Sequence, residues 1–261
     1  MRYARLGHVR QRFQLGTRSP TILEVRQRVR RPQLRQWVDS LYGRERGIQS
    51  GIDPLVSDRQ LASFLVAKVG DRARGVVTLM PHVYRGRRVR IRGRDSLALG
   101  KSVAIAADVL LDAVSKRGIQ VGDKSTIDIG AVLRASGAIR NVGEGIVIGK
   151  RTAVGAYNVI LGQGGVYIGD DCLLGPGVQM HSENHIFKDR EIPIREQGEQ
   201  RNAIRVGNDV WIGANSVVLA GSVIHDGAVV AANSVVRGEI AAYSVVAGAP
   251  ASQKGTRGEG R

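Results

Sequence analysis

The chain has 261 residues, enough for one large domain with a substantial core, yet aromatics make up only 4 % while glycine numbers 34. That composition argues against an aromatic-rich core and favours closely stacked small and β-branched side chains. The single cysteine, Cys172, excludes an internal disulfide framework. No stretch approaches the roughly 18 apolar residues that a transmembrane helix needs, and the first residues lack the apolar run of a signal peptide. A soluble cytoplasmic protein is the expectation. The net charge of +16 is uneven: residues 1–100 carry 22 Lys and Arg against 7 Asp and Glu, and the remainder 17 against 16. An electrostatic partner belongs with the N-terminal part.

Residues 1–95 read as a basic, partly helical region. A segment at Thr21–Tyr42 has helical character but is interrupted by Pro32. Ser57 followed by Gln60 has the form of a capping box. Leu61, Phe64, Leu65 and Val69 then fall at helical spacing, which predicts a helix ending near Gly70. Residues 85–94, RGRRVRIRGR, alternate Arg with Val or Ile and predict a strand with one basic face.

Residues 96–250 are dominated by a six-residue repeat. From Val206 the chain reads VGNDVW, IGANSV, VLAGSV, IHDGAV and VAANSV. The period is also present in 168–179 and 148–159, and more loosely in 121–132. Such a period marks a solenoid. Each hexapeptide supplies one short strand and one corner, with the branched first residue inside and a small fifth residue where the chain turns. Three hexapeptides close a triangular coil of 18 residues, and coils stack at about 4.8 Å. Each interior aliphatic then contributes roughly 1.5–3 kcal/mol by burial, and stability approaches a sum of neighbour terms. The phase breaks at residues 180–205, a polar segment that predicts a loop extruded between intact coils. Residues 251–261 read as a disordered tail. The repeat predicts a parallel β-helix, and its spacing leaves the hand open.

The segments SENHIFKDREIPIREQG, VGNDVWIGANSVVLAGSVI and VVAGAPA resemble the hexapeptide-repeat acyltransferases. The resemblance spans residues 120–250 and is strongest to galactoside and maltose O-acetyltransferases and to enzymes that acetylate surface polysaccharides. It implies a left-handed β-helix, acetyl-CoA as cosubstrate and a homotrimer with sites between subunits. It also implies that His185, in the extruded loop, is the general base, a task that neutral imidazole suits near neutral pH. His181 is the rival. Asn158 matches an asparagine that contacts the acceptor hydroxyl; an asparagine that satisfies backbone groups at a corner is the alternative. Trp211 matches an outward aromatic near the cleft, by acceptor or cofactor. Ala214 and Ala232, 18 residues apart, match small residues beside the pantetheine arm. Arg237-Gly238 stands in place of the family's Thr-Lys pair, and Arg237 could meet a nucleotide phosphate.

Two other chemistries have weaker support. The γ-class carbonic anhydrases share the predicted fold and bind zinc through three histidines, but no third histidine is placed to join His181 and His185, so no metal is expected. Cys172 sits at the inward fifth position of IGDDCL and reads as a buried structural residue, so transfer should be direct, without an acyl-enzyme. The reading is an acetyl-CoA-dependent O-acetyltransferase acting on a sugar hydroxyl in surface-polysaccharide or glycolipid assembly. An N-acyltransferase on an amino sugar, or a silent β-helix scaffold binding a polyanion, are the alternatives. The basic region is expected to cap the first coil and to touch anionic lipid peripherally. No nucleic-acid motif accompanies its charge.

Overall fold

The computed structural model describes residue 53, residues 55–138 and residues 140–259. The candidate helix at Thr21–Tyr42 lies outside them. The chain divides into two compact units, Met1–Phe64 and Leu65–Arg261. In the first, the capping box is formed: Ser57 N–H donates to Gln60 Oε1 at 2.9 Å, and Gln60 N–H donates to Ser57 Oγ at 3.3 Å. The helix that follows is Asp58–Val77. It passes Gly70, where the sequence predicts its end, because one glycine costs a helix interior only about 1 kcal/mol. It stops at a Schellman motif. Leu79 takes the left-handed conformation (φ 58), Met80 N–H donates to the Gly75 carbonyl, and Leu79 N–H donates to that of Val76.

The second unit holds the later part of this helix, from Leu65, and the left-handed parallel β-helix. Its strands lie in three walls, here sheets 1, 2 and 3, with orders that advance by one coil at each step. Sheet 1 runs from Val83–Arg85 to Ser244–Ala247, sheet 2 from Arg90–Arg92 to Val235–Val236, and sheet 3 from Leu97–Leu99 to Glu239–Ile240. Pairing therefore begins at Val83, inside the segment the sequence assigns to the N-terminal region; the strand expected within 85–94 is its second wall. The end of the chain also differs from expectation. Ser252–Thr256 is not a disordered tail but turns back and pairs antiparallel with Ser244–Ala247, covering an edge that would otherwise template association.

Coils of 18 residues are the exception. Val83 pairs with Val103, Ala104 with Thr126, Thr126 with Ala153, Ala153 with Leu173, Leu173 with Trp211, Trp211 with Val229, and Val229 with Val245. The steps are 20, 22, 27, 20, 38, 18 and 16 residues. The spacing from sheet 1 to sheet 2 is the same in every coil, as is the spacing from sheet 3 to sheet 1. All the variation falls at the corner between sheets 2 and 3. Hexapeptide phase survives across two corners and is lost at the third, which is why the repeat is hard to follow upstream of residue 120.

The fixed spacing at the corner from sheet 3 to sheet 1 has a visible cause. Asp226 Oδ1 accepts from Asn208 N–H at 2.7 Å, Asn208 Oδ1 from Asp170 N–H at 2.9 Å, and Asp170 Oδ1 from Lys150 N–H at 2.7 Å. Each oxygen sits directly on the glycine of the coil before it. A Cβ on Gly207 would lie 2.1 Å from Asp226 Oδ1. The Gly-Asp and Gly-Asn pairs of the repeat are thus a ladder in which glycine makes room for the next coil's cap. At the same corner, Arg151 and Asp171 form two parallel bonds of 2.6 Å across one coil step. Inside, Ile105, Leu111, Ile119, Ile127, Leu133, Ile146, Ile160 and Met180 are fully buried and stack wall by wall.

Gly207→Ala should lower stability by about 1–3 kcal/mol through the clash with Asp226, read from the urea midpoint. The bonds from Arg151 hold the Asp171 carboxyl below its ordinary range. The stabilisation is therefore present above the unfolded pKa of about 3.9 and is lost as pH falls through the lower folded value. Asp171→Asn should be less stable than the parent at neutral pH, with the difference vanishing in strong acid.

Candidate active site

The corner between sheets 2 and 3 carries the segments that leave the coil. Residues 135–145 account for the 27-residue step, and residues 182–203 for the 38-residue step. The latter is not irregular throughout. Glu183–His185 and Glu199–Arg201 pair antiparallel, with His185 opposite Glu199, and a short 3-10 turn at Ile194–Glu196 lies at the far end. The hairpin is pinned at its base by Arg201, which is half-buried. Its Nε bonds Glu183 Oε2 at 2.6 Å, its Nη1 bonds Asn141 Oδ1 at 3.0 Å and the Val142 carbonyl at 3.2 Å, and its Nη2 bonds the Asn141 carbonyl at 3.0 Å. One guanidinium therefore ties the two excursions together.

The histidines have different environments. His185 is exposed near the base of the pinned hairpin. His181 is the last residue of the strand Gln179–His181, on the outer face of sheet 2. Its register neighbours are Leu161 and Leu219, and its Nε2 lies 3.1 Å from Gln179 Oε1. Partial burial pushes the His181 imidazole below its ordinary pKa, so it stays neutral to more acidic pH. His225 is exposed, with Nε2 2.6 Å from Glu239 Oε1. Among the described residues, no group of three or more His, Cys, Asp or Glu is arranged to hold a metal ion.

Asn158 is corrected. It is 0 % exposed, at the corner where sheet 1 turns into sheet 2. Its Oδ1 accepts from Val178 N–H at 2.7 Å, and its Nδ2 is buried without a partner. A side chain sealed into the corner column does not contact an acceptor; the corner role weighed as the alternative is the one present. Cys172 is likewise completely buried, with Sγ 3.1 Å from the Gly207 carbonyl, and burial pushes its thiol pKa up. The thiolate that a covalent step needs is disfavoured there.

Trp211 is 54 % exposed on the outer face of sheet 1, between Leu173 and Val229 in register. Ala214 and Ala232 stack one coil apart at the corner from sheet 1 to sheet 2, and Asn233 N–H donates to the Ala214 carbonyl at 2.9 Å. The corner is too tight for anything but glycine behind them, since a Cβ on Gly213 would lie 2.4 Å from Ala232 N. Arg237 is exposed beyond the other end of sheet 2, following Val236 as Leu219 follows Val218. The outer face of sheet 2 therefore has Ala214 and Ala232 along one edge and His181, Arg237 and the root of the hairpin along the other. Sequence reasoning missed Arg201, because one arginine among 39 Lys and Arg carries no signal of its anchoring role.

Comparison with known proteins agrees with this architecture. Residues 203–238 match the model for the bacterial transferase hexapeptide (six repeats), and residues 145–179 that for the hexapeptide repeat of succinyl-transferase. The putative lipopolysaccharide biosynthesis O-acetyl transferase WbbJ of Escherichia coli is 36 % identical over 140 residues, 51 % of this chain and 69 % of WbbJ. A probable acetyltransferase of Mycobacterium tuberculosis is 34 % identical over 159 residues, 60 % of this chain. The chain spans about half that relative's length, 49 %. Among solved structures, a variant of AntD, an N-acyltransferase from Bacillus cereus in complex with dTDP and coenzyme A, superposes with a TM-score of 0.52 at 21 % identity. The match covers 62 % of this chain and 84 % of AntD, and it speaks for the fold alone. The chain belongs to the hexapeptide-repeat acyltransferases.

Arg201→Ala should free the hairpin without unfolding the coils. Limited proteolysis is expected to cut within residues 183–201 at least about tenfold faster, while the global urea midpoint moves little.

Proposed function

We propose that this chain transfers an acetyl group from acetyl-CoA to a sugar hydroxyl, in the assembly of a surface polysaccharide or glycolipid. The observation that carries the reading is the contrast between His185 and Cys172. An exposed imidazole stands on a hairpin that Arg201 holds against a second loop, whereas the one thiol is sealed in the core. The sugar and the pathway are supported by the similarity to WbbJ.

In the proposed reaction His185 removes the proton of the acceptor hydroxyl as its oxygen attacks the thioester carbonyl carbon. Backbone N–H groups beside the carbonyl oxygen stabilise the tetrahedral oxyanion. The carbon–sulfur bond then breaks, and the imidazolium returns its proton to the leaving thiolate. The products are an acetyl ester and free coenzyme A, with no covalent enzyme intermediate. His181, half-buried and tied to Gln179, serves the shape of the sheet 2 face. Ala214 and Ala232 suit a pantetheine arm laid along their corner, because small side chains leave the backbone within reach. Trp211 covers the arm from sheet 1, and Arg237 meets a phosphate from the far edge. A homotrimer would bring a neighbour's surface to this open face. The protein works in the cytoplasm, with the basic N-terminal region near the membrane's inner surface.

His185→Ala should reduce turnover by about 10²–10⁴-fold while leaving cofactor binding intact. The control is a thermal shift with coenzyme A at 100 times its dissociation constant, which should stabilise parent and variant alike by about 2.7 kcal/mol. Turnover kept in the variant would sink the assignment, and no shift in the parent would sink the transferase reading itself.

A further inference from the structure

The outer face of sheet 2 has a column that continues below His181. Reading down from His181 in register, the residues are Leu161, Arg134, Asp112 and Arg92. Arg134 and His181 are thus two strand steps apart along the helix axis, roughly 10 Å. Beside the lower part of this column lies a cavity of about 360 Å³, lined by Arg92, Asp112, Val114, Arg134 and Ser136–Ala138. That volume is at the small end of the range for ligand sites, roughly 300–1,000 Å³.

The charges around the cavity are incompletely matched. Asp112 is the better buried partner of an ion pair, with its Oδ2 3.5 Å from Arg92 Nη1. Among the described residues Arg134 has no ion pair, and its Nε is buried with no hydrogen-bond partner. Behind Gly137, Gln163 is 8 % exposed, and its Oε1 is also buried without a partner. Buried donors and acceptors are rarely left unpaired, because an orphan loses its bonds to water and gains none in return. A guanidinium donor asks for an anionic acceptor.

We infer that this cavity binds an anionic group of the acceptor, a carboxylate or a phosphate on a hydroxylated sugar, with Arg134 as its principal partner. The inference rests on the acetyltransferase reading and narrows it: the acceptor is an acidic or phosphorylated sugar, bound by its charge in the cavity on the same face of sheet 2 as His181. Arg92, over the outside of Asp112, adds a second positive charge at the mouth.

The test uses the full chain and measures binding by thermal shift and calorimetry with four probes: glucuronate, inorganic phosphate, glucose and coenzyme A. Glucuronate should bind at millimolar concentration and glucose should not. Arg134→Gln should weaken glucuronate at least about tenfold, the scale of one lost charge-assisted hydrogen bond, with Arg134→Lys between the two. If phosphate binds with the same dependence on Arg134, the source is a phosphorylated acceptor; if glucuronate alone binds, it is a carboxylated one. Should Arg134→Gln fail to fold, Arg92→Gln, at an exposed position, decides by the same loss. Equal responses to glucose and glucuronate, or a glucuronate affinity indifferent to both arginines, would overturn the inference. So would loss of the coenzyme A response in Arg134→Gln, which would give the cavity to the cofactor's phosphates. A protein that binds glucuronate but not coenzyme A would keep the anion site and lose the transferase reading.

Discussion

The β-helix depends throughout on the stacking of one coil on the next. A coil alone has three short strands with unpaired edges and an aliphatic interior open above and below. Only when the next coil supplies parallel hydrogen bonds and a second layer of Ile, Val and Leu does either become stable. The corner ladder makes that stacking directional. Asp226, Asn208 and Asp170 each cap a backbone N–H one coil away, and the glycine beneath each of them is the space the cap requires. The first and last layers face the same demand, and at the C-terminal end the strand Ser252–Thr256 meets it by turning back on the sheet edge.

This constraint decides where chemistry can be placed. Two corners hold a fixed spacing through all the coils and tolerate no insertion. The third, between sheets 2 and 3, absorbs every extra residue, so both long excursions leave the body on the same side. Arg201 then joins them, turning a polar segment of low intrinsic order into a held hairpin. A rigid solenoid with one permissive corner concentrates its loops beside one wall, and the outer face of sheet 2 becomes a bench flanked by backbone-rich small residues on one edge and titratable groups on the other.

Burial separates the residues of that face from those that only look chemical in the sequence. Asn158 and Cys172 both occupy inward corner positions where side chains satisfy the backbone of the coil above or fill the core. Asn158 Oδ1 caps the Val178 N–H and the Cys172 thiol lies against the Gly207 carbonyl, so neither side chain reaches the outer face. Arg134 is the opposite case. In a chain with 39 Lys and Arg it attracts no notice, yet its Nε is buried beside a cavity without a partner.

The β-helix was legible in the sequence because its cause is local: a branched residue every six positions and a small one at each turn are what a coil needs whatever surrounds it. The capping box at Ser57 and Gln60 was legible for the same reason, as was the extruded segment between residues 180 and 205, since a loss of phase is itself a signal. The stop at Leu79, the start of pairing at Val83 and the return strand at Ser252–Thr256 were not, because each depends on contacts between segments distant in sequence or on a turn whose residues carry no mark of it. The same division runs through the site. Sequence resemblance singled out His185, but the burial of Asn158, the anchoring by Arg201 and the column that aligns Arg134 with His181 were decided only in three dimensions. Insertions of differing length between coils erase the spacing in the chain, while hydrogen bonding between strands restores it in space.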